Sequence, residues 1–483
     1  MDNTSSSDTI ISNLNYSVES LLCELEKIRS SAINLRDADA LEKLEIDLHA
    51  KAIKLADLIS AIKLQEALDS DQLETDEKNL IKSSQKKMKN MGRRTITIRM
   101  LGGTPVTIIT TYYRQKSDLE KLKGRKGRKG RKDRKGFYPR LLLLGIHDRC
   151  TPALCSRASL FATAACSLEE AQRLMNTLYG FWLDIKTIRM ICRRFAMRAR
   201  AAFKAGEIPL EAEFKGRHVV ISMDGGRLRI RKNKKGPKTK KNRSRYKTDW
   251  REPKLIIVYV VDGDGQKDRK ISPIMDASLD GPDAIFGMLL YYLKKLGVAA
   301  ADKLLFISDG AKWIWERAAN LATGLGIKAT QLLMALDFYH AVEHLTSIAT
   351  HKKWKKKKAT KWVNKQRKRL LKGKLDIFME EIEAICKGTK SKILRRERNF
   401  FKKHLPHMRY EEIKNGGLPI GSGAVESGIR RVVNMRLKGP GIFWQEEMAD
   451  AMLLLRSYYK AGRWDMLKNM AFNGGLNVSE CYL

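Results

Sequence analysis

The chain has 483 residues, of which 43% are hydrophobic, and this is enough for two to four domains with cores of their own. Its 94 lysines and arginines outnumber 54 aspartates and glutamates, giving a formal net charge of +40, which indicates a polyanionic partner, nucleic acid before a membrane surface. No apolar run approaches the roughly 20 residues of a membrane span, so a membrane-spanning protein is excluded.

The first residues are polar, with no basic segment leading into an apolar one, so we predict no secretion signal and a cytoplasmic, nucleoid-associated protein. Seven cysteines are scattered without a Cys-x-x-Cys pair. We interpret them as reduced, mostly structural thiols and expect neither disulfides nor a zinc ribbon.

Residues 1–90 carry apolar side chains at helical spacing, as at Val18, Leu21, Leu25 and Ile28. They predict a helical arm, for which a packed helical hairpin is the simpler role and dimerisation or binding of DNA ends the alternatives. The β-branched runs on either side of Gly102-Gly103 then predict a β-hairpin over residues 94–113.

Residues 124–135 repeat Gly-Arg-Lys three times and predict a flexible basic loop, whose role is phosphate binding or plain solvated charge. From about residue 141 to 202 the pattern is helical, with a capping box at Ser167 and an interruption at Gly180. Two helices around such a turn could form a DNA-reading helix-turn-helix or an ordinary helical hairpin.

The strongest strand signal lies at residues 217–227, where a β-branched apolar run ends at Asp224 and two glycines. Short apolar runs end in the same way at Asp309 and, more weakly, at Asp337. One Asp-Gly pair is usually an ordinary turn. Three such strand ends, however, would deliver carboxylates to one edge of a sheet, so we interpret this edge as a candidate metal site.

Residues 217–336 predict elements in the order β-β-β-α-β-α-β-α, interrupted by a basic excursion at 227–251. The later strands are expected at 254–261, 271–275, 303–308 and 332–336, with helices at 282–296 and 313–325. This order matches the ribonuclease H-like fold, which has one acid on its first strand and another beside its fourth, the positions of Asp224 and Asp309. We therefore predict an α/β protein with a ribonuclease H-like catalytic core.

Glu426 supplies a third acid, in the first turn of a helix that Ser422 can cap. A carboxylate there is also favoured by the helix dipole, so helix stabilisation is the simpler role for Glu426 taken alone. Because two aspartates are also expected at strand ends, we favour a catalytic role for Glu426.

Here the chain resembles the DDE transposases of bacterial insertion sequences, most closely the Kra branch, with a wider similarity to the Mutator-like group. The resemblance covers about residues 90 to 470 and is carried by the stretches 223–230, 308–315, 337–340 and 421–464. It implies that Asp224, Asp309 and Glu426 are the catalytic, metal-binding triad, and that Asp337-x-x-His340 is the accessory motif of such enzymes. His340 is thus a further catalytic candidate, as a group that orients a phosphate or a proton donor, or else a structural residue at a helix start.

The chain departs from this family in two places. Relatives often carry a cysteine-bearing zinc segment before the core, where this chain has its Gly-Arg-Lys loop. The resemblance therefore does not extend to the way in which the family recognises DNA ends. The basic residues after Glu426 also lack the tyrosine-arginine-glutamate-lysine spacing of another transposase group, and those roles are not assigned either.

Far more chain separates Asp309 from Glu426 than one connection needs, which predicts a basic helical insertion. Phosphate binding is favoured for its lysines, and anchoring to the core is slightly favoured over base stacking for Trp354 and Trp362. The predicted divisions are a helical arm (1–90), a hairpin with a helical DNA-binding region (91–212), the first part of the core (213–344), the insertion (345–416), the second part of the core (417–470) and a tail (471–483).

The expected activity is Mg²⁺-dependent cleavage at insertion-sequence ends, followed by attack of the exposed 3′-OH on target DNA. Mg²⁺, for which Mn²⁺ would substitute, requires the hard oxygen ligands that three carboxylates provide. The partners are double-stranded DNA, as terminal inverted repeats and target, and further copies of the chain in a dimer or higher oligomer. The alternatives are a non-catalytic DNA-binding remnant acting as a repressor and a metal-dependent nuclease without strand transfer. Candidate contacts to the DNA backbone are Arg227, Lys312, Arg430, Arg431, Arg436 and Lys438.

Overall fold

The computed structural model describes residues 6–32, 35–84, 87–115, 136–240, 242–318, 320–328 and 330–473. The predicted Gly-Arg-Lys loop and most of the predicted tail lie outside these ranges. The chain forms two compact units, residues 1–208 with 467–483 and residues 209–466. The fold is mixed α/β. Within the described ranges no helix combines the length and the apolar character that crossing a membrane requires.

The first unit begins with helices, as the apolar spacing predicts. They are α1 (Ser7–Ser30), α2 (Ala38–Leu68) and α3 (Asp71–Ser83). α1 packs against α2, and both bury apolar side chains against the strands that follow, with Leu14, Leu58 and Ile108 in one core. The arm is therefore part of a packed unit, as in the simpler interpretation.

The predicted β-hairpin is present as β1 (Met88–Arg99) and β2 (Pro105–Gln115), which pair in antiparallel register. The turn closes with Gly103 donating to the carbonyl of Met100, and Gly103 has a φ of +86°. Only glycine adopts that conformation readily, so the Gly-Gly pair fixes the turn. The predicted division between residues 90 and 91 falls inside β1.

A short strand and four helices follow in this unit: β3 (Gly136–Phe137), α4 (Pro139–Leu143), α5 (Pro152–Ala164), α6 (Leu168–Tyr179) and α7 (Ile185–Lys204). The predicted capping box is formed in part: Ser167 Oγ accepts from the Glu170 amide, but the Glu170 side chain accepts from the amide of Cys166, the residue before the N-cap. Gly180 ends α6 in the left-handed conformation. The geometry fits both a helix-turn-helix and a plain hairpin, so DNA reading stays a prediction.

A five-stranded mixed sheet forms the centre of the second unit. Its strands are β4 (His218–Gly225), β7 (Lys254–Val261), β8 (Ile274–Ser278), β9 (Lys303–Ser308) and β10 (Leu332–Leu336). Their order across the sheet is β10-β9-β4-β7-β8, where β4, β9 and β10 are parallel and β7 is antiparallel to both β4 and β8. All residues of β7 and β8 are buried, as in strands covered on both faces.

The basic excursion also contains structure, which sequence reasoning missed. β5 (Leu228–Asn233) and β6 (Tyr246–Arg251) form a two-stranded antiparallel sheet. Leu228 and Ile230 on β5 are buried, so alternate positions of this charged segment face the core. Lys232 and Asp249 pair across the strands at 2.8 Å.

The helices of the core are α8 (Pro282–Lys295), α9 (Lys312–Ala318), α10 (Leu321–Leu325) and α11 (Phe338–His351). The predicted order of core strands and helices is present, although the helix expected at 313–325 is two short helices. The predicted division between residues 344 and 345 falls inside α11.

The segment predicted as an insertion is helical, with α12 (Lys356–Leu371), α13 (Leu375–Cys386), α14 (Lys392–His404) and α15 (Tyr410–Asn415). These helices share one core with α11 and the end of β10, built around Leu345, Phe378 and Phe401. Trp362 is buried there and donates to Glu381, so it anchors the helices as the simpler interpretation held.

The chain then forms α16 (Gly423–Ile429), a π-helical turn (Arg430–Asn434) and α17 (Met435–Leu437). α18 (Glu446–Ala461) follows, and its side facing β8 is buried. The last helix, α19 (Trp464–Asn473), crosses from the second unit into the residues that belong to the first.

Candidate active site

Two of the predicted acids lie at the same edge of the central sheet. β4 and β9 are parallel, and their pairing runs from His218 with Lys303 to Ser222 with Ile307. Continued for two more positions, this register sets Asp224 beside Asp309. Burial of the β-branched run of β4 therefore fixes the position of the Asp224 carboxylate at the end of the strand.

Asp224 is the most strongly perturbed acid of this edge. Burial, followed by the negative charges of Asp309, Glu426 and Glu252, raises its pKa to about 6, against the stabilising hydrogen bond from the Gly225 amide at 2.6 Å. Asp309 and Glu426 therefore lie near enough to Asp224 for their charges to act on it. Acids in such a group repel one another, and a bound cation would relieve that repulsion.

The Asp309 carboxylate is held by its own turn. It accepts from the Ala311 amide at 3.0 Å and from Ser308 Oγ at 3.2 Å. Gly310 has a φ of +90°, and a Cβ there would come 3.3 Å from Nε2 of His404. Gly310 therefore permits the turn after β9, and this turn places Asp309 at the edge of the sheet.

Glu426 reaches the site because α16 lies close on the sheet. α16 packs against β4 and β7, and a Cβ on Gly428 would come 2.5 Å from Ile257 Cδ1 and 2.8 Å from Leu255 Cδ2. The absence of a side chain at Gly428 permits this close approach. Glu426 itself is exposed in the first turn of α16, so its carboxylate is accessible to a ligand.

Ser422 begins α16 in a different way from the prediction. It occupies the N-cap position, but its side chain makes no capping hydrogen bond. Its backbone amide instead donates to the fully buried carboxylate of Asp337, which also accepts from the His340 amide at 2.9 Å. The Asp337 amide donates to the Ser308 carbonyl at 2.8 Å. Asp337 therefore ties together the end of β9, the start of α11 and the start of the Glu426 helix.

The π-helical turn after α16 is secured by a buried arginine. A π turn frees backbone carbonyls from the usual helical pattern. Arg456 on α18 donates through Nε to the Val432 carbonyl at 2.9 Å and through its terminal nitrogen to the Arg431 carbonyl. These hydrogen bonds hold the π-helical turn that directly follows α16, the helix that carries Glu426.

His340 lies within a group of aromatic and acidic side chains. Its Nε2 is 3.3 Å from Nε2 of His344, and its Nδ1 is 3.2 Å from Glu343. His344 in turn contacts Glu397 and stacks on Phe400. These contacts account for the orientation of His340 without a catalytic role, and its role as a proton or phosphate partner stays a prediction.

Sequence reasoning missed another histidine behind Asp309. His404 is buried, and burial followed by the charge of Lys403 lowers its pKa to about 4, while Asp309 acts in the opposite direction. It is neutral at neutral pH and packs against Trp315 and Phe400. No local signal marks it, because only the packing of α14 brings it to the turn after β9.

The predicted DNA contacts divide into two groups. Arg227, Lys312, Arg430, Arg431 and Lys438 are exposed. Arg436 is only 5% exposed, with its guanidinium 5.1 Å from the ring centre of Trp444. Burial sets Arg436 apart from the five exposed residues, and all six contacts to DNA stay predictions.

The residues at the sheet edge suit a hard divalent cation. Carboxylate oxygens are the ligands that Mg²⁺ prefers. Within the part of the chain that the structure describes, no three His, Cys, Asp or Glu side chains already stand in a metal-holding arrangement. In the described residues, Asp224, Asp309 and Glu426 therefore do not form a closed set of ligands.

The chain matches no protein-family model, and no curated protein is significantly similar to it.

Proposed function

We propose that this protein is a DDE transposase, which cuts DNA at the ends of a mobile element and joins the exposed 3′-OH to target DNA. The observation that supports the proposal is the β4–β9 register, which sets Asp224 beside Asp309, together with the packing of the Glu426 helix against β4 and β7. Three carboxylates on two strand ends and a helix are a suitable ligand set for a pair of divalent ions.

The strand arrangement supports a ribonuclease H-like core. The first three strands of the sheet along the chain, β4, β7 and β8, are antiparallel neighbours. On the other side of β4 the sheet continues with the parallel strands β9 and β10. In that fold one acid lies on the first strand, one beside the fourth strand and one on a later helix, as Asp224, Asp309 and Glu426 do. The helical segment 345–416 then interrupts the core as an insertion.

The chain's own residues would divide the work of the reaction. Asp224, Asp309 and Glu426 would hold the metal, while Asp337 and Arg456 position the helix that bears Glu426. Bound Mg²⁺ would activate the attacking oxygen and stabilise the departing one. No side chain needs to form a covalent bond to DNA.

A lysine-rich surface on α12 supports DNA as the substrate. From Lys352 to Lys374 the chain has thirteen lysines and arginines and no acid. Among the described residues, the only acid paired with them is Glu381, which binds Lys365 and Arg369. The lysines at 355, 357, 361 and 368 are exposed. We call these four residues, Lys355 immediately before α12 and three lysines within it, the α12 lysine face.

Removing the α12 lysine face should weaken DNA binding and its dependence on salt. For the quadruple Lys→Gln variant, we expect the slope of log affinity against log salt to fall by about 0.9 for each lost phosphate contact. Fluorescence anisotropy with duplex DNA over a range of salt concentrations measures this. The control replaces four other exposed lysines of the same unit, Lys270, Lys294, Lys295 and Lys328, and removes the same charge. Equal losses in both variants would mean that net charge, not this face, binds DNA.

The proposed function is tested by an end-joining assay. The ends of the element are read from inverted repeats in the DNA flanking the gene, and a labelled fragment carrying one end is incubated with the protein, Mg²⁺ and a supercoiled plasmid. We expect label to become joined to the plasmid. Cleavage without joining would indicate a nuclease, and binding without cleavage a DNA-binding repressor. Because two ends must be brought together, we propose that the active form is a dimer or higher oligomer, acting in the cytoplasm on the nucleoid.

A further inference from the structure

A strongly basic ribbon follows the end of β4. The two-stranded sheet of β5 and β6, which we call the ribbon, begins soon after Asp224. Residues 227–248 include twelve lysines and arginines and no acid. The next acid, Asp249, is paired with Lys232 on the opposite strand. This excess of positive charge on one element indicates a polyanionic partner.

The two faces of the ribbon have different environments. Opposed residues of an antiparallel pair share a face, and neighbours along a strand alternate between faces. Leu228 and Ile230 are buried, so their face anchors the ribbon to the second unit. Arg229 alternates with them and lies opposite Trp250, which is 50% exposed. The face that carries Arg229 and Trp250 is therefore open to solvent.

Three aromatic rings are grouped on this open face. Tyr246 is 45% exposed, and its ring centre lies 5.8 Å from that of Phe443. Phe443 is held beside β5, because the amide of the next residue, Trp444, donates to the Arg229 carbonyl at 3.0 Å. Exposed aromatic residues scattered singly are normal on a protein surface, but a group on one narrow ribbon offers a surface for stacking. We call Tyr246, Trp250 and Phe443 the ribbon platform.

Arginine side chains lie over the rings of the ribbon platform. The distances from guanidinium to ring centre are 5.0 Å for Arg227 and Trp250, 4.6 Å for Arg229 and Phe443, and 5.3 Å for Arg231 and Tyr246. Attraction to a ring holds a guanidinium in place before any ligand binds. Arg229 also donates to the Gly439 carbonyl at 2.5 Å. Arg227 and Arg231 are exposed, so these two cations are accessible to an anion.

A single-stranded nucleic acid has the groups that such a face binds. Its unpaired bases present planar faces that can stack on aromatic rings, and its phosphates pair with arginines. The bases of an intact duplex are stacked on one another and cannot use the rings in this way. An acidic protein segment would satisfy the cations without needing the rings. The combination of rings and cations therefore favours an unpaired strand.

The chain keeps the ribbon platform close to the acids. Arg229, the residue opposite Trp250, follows Asp224 by five residues, which span at most about 18 Å. A DNA strand covers that distance in about five nucleotides of a duplex. Breaking a strand at the acids frees the neighbouring bases to unpair, and stacking on the ribbon platform would offset the cost of unstacking them.

We propose that the ribbon platform stacks unpaired bases of the DNA strand beside the metal site, while Arg227 and Arg231 contact its phosphates. The inference rests on the proposed function, which identifies the nucleic acid as DNA. It adds a site for unpaired bases that the three acids do not require, and it gives the exposed rings of Tyr246 and Trp250 a role.

Fluorescence anisotropy without divalent metal tests the proposal independently of cleavage. The two probes are a labelled oligothymidine strand and a labelled mixed-sequence duplex of the same length. Trp250→Ala should weaken binding of the single strand by about 5- to 100-fold, because the loss of one stacked base is expected. Trp250→Phe should restore most of this affinity, since phenylalanine can still stack. Duplex binding should change by less than about two-fold, because it depends on phosphate contacts.

Two control variants separate stacking from charge and from exposed aromatic area. Arg231→Gln removes a cation and keeps the rings, so it should weaken binding of both probes and lower the salt dependence of both. Tyr16→Ala removes a ring that is 74% exposed on α1, and it should bind both probes like the unmodified chain. Thermal melts show whether each variant is folded.

The outcomes separate the two proposals. Unchanged binding of the single strand by Trp250→Ala would refute the stacking role. Equal weakening of both probes would also refute it, because the ribbon would then contact a duplex. In both cases the proposed function stands if the end-joining assay succeeds. If the unmodified chain binds neither probe, both proposals are refuted together.

Discussion

Replacing Asp224 or Asp309 by Asn, or Glu426 by Gln, should abolish Mg²⁺-dependent DNA cleavage. Each change keeps the volume of the side chain and removes one negative charge from the metal ligands. A loss of about 10³-fold or more is expected, because removing a single preorganised electrostatic group from an active site already costs 10²- to 10³-fold. The initial rate of cleavage of a labelled element end measures the effect.

DNA binding by these variants should be largely retained. The α12 lysine face keeps its charge in every case, and removing an acid from the site only reduces repulsion of phosphate. Asp264→Asn, at an exposed position after β7, is the control and should cleave like the unmodified chain. Full cleavage activity in any one of the three acid variants would remove that residue from the triad.

Asp337→Ala should destabilise the second unit and also reduce cleavage. The carboxylate is fully buried and accepts from the amides of His340 and Ser422. Alanine leaves both donors unsatisfied at about 1–3 kcal/mol each. A fall in melting temperature of roughly 6–12 °C follows for a loss of about 3 kcal/mol. Cleavage should fall as well, because the start of the Glu426 helix is no longer tied to β9.

Asp337→Asn separates these two effects. The amide oxygen can still accept from His340, but the amide nitrogen cannot accept from Ser422, so stability should be intermediate. Cleavage should be reduced about as much as in Asp337→Ala if the tie to Ser422 positions Glu426. Asp302→Ala, at an exposed position before β9, is the control for stability. If Asp337→Asn cleaves at the normal rate, Asp337 stabilises the fold without positioning the catalytic helix.

The parts of the fold that could be predicted from the sequence are those with a local cause. The run at 219–221 is β-branched and apolar, which favours a buried, extended strand, and the Asp-Gly at 224–225 falls at the end of that strand. The same reasoning located β7, β9 and β10 and the hairpin around Gly102-Gly103. It also supplied the acids at positions 224 and 309, because each directly follows such a run.

The parts that could not be predicted depend on contacts between distant segments. Alternation of Leu228 and Ile230 with basic residues was too short to reveal the sheet of β5 and β6. Arg436 looked like a surface cation until the packing of Trp444 buried it.

The central claim is that Asp224, Asp309 and Glu426 together bind divalent metal. Anomalous diffraction from crystals of the protein grown with Mn²⁺ and soaked with a DNA end tests it most directly. We predict Mn²⁺ peaks at the edge of the central sheet, within about 2.0–2.3 Å of oxygens from all three carboxylates. Peaks elsewhere, or ordered DNA at this edge with none of the three acids bound to metal, would contradict the account.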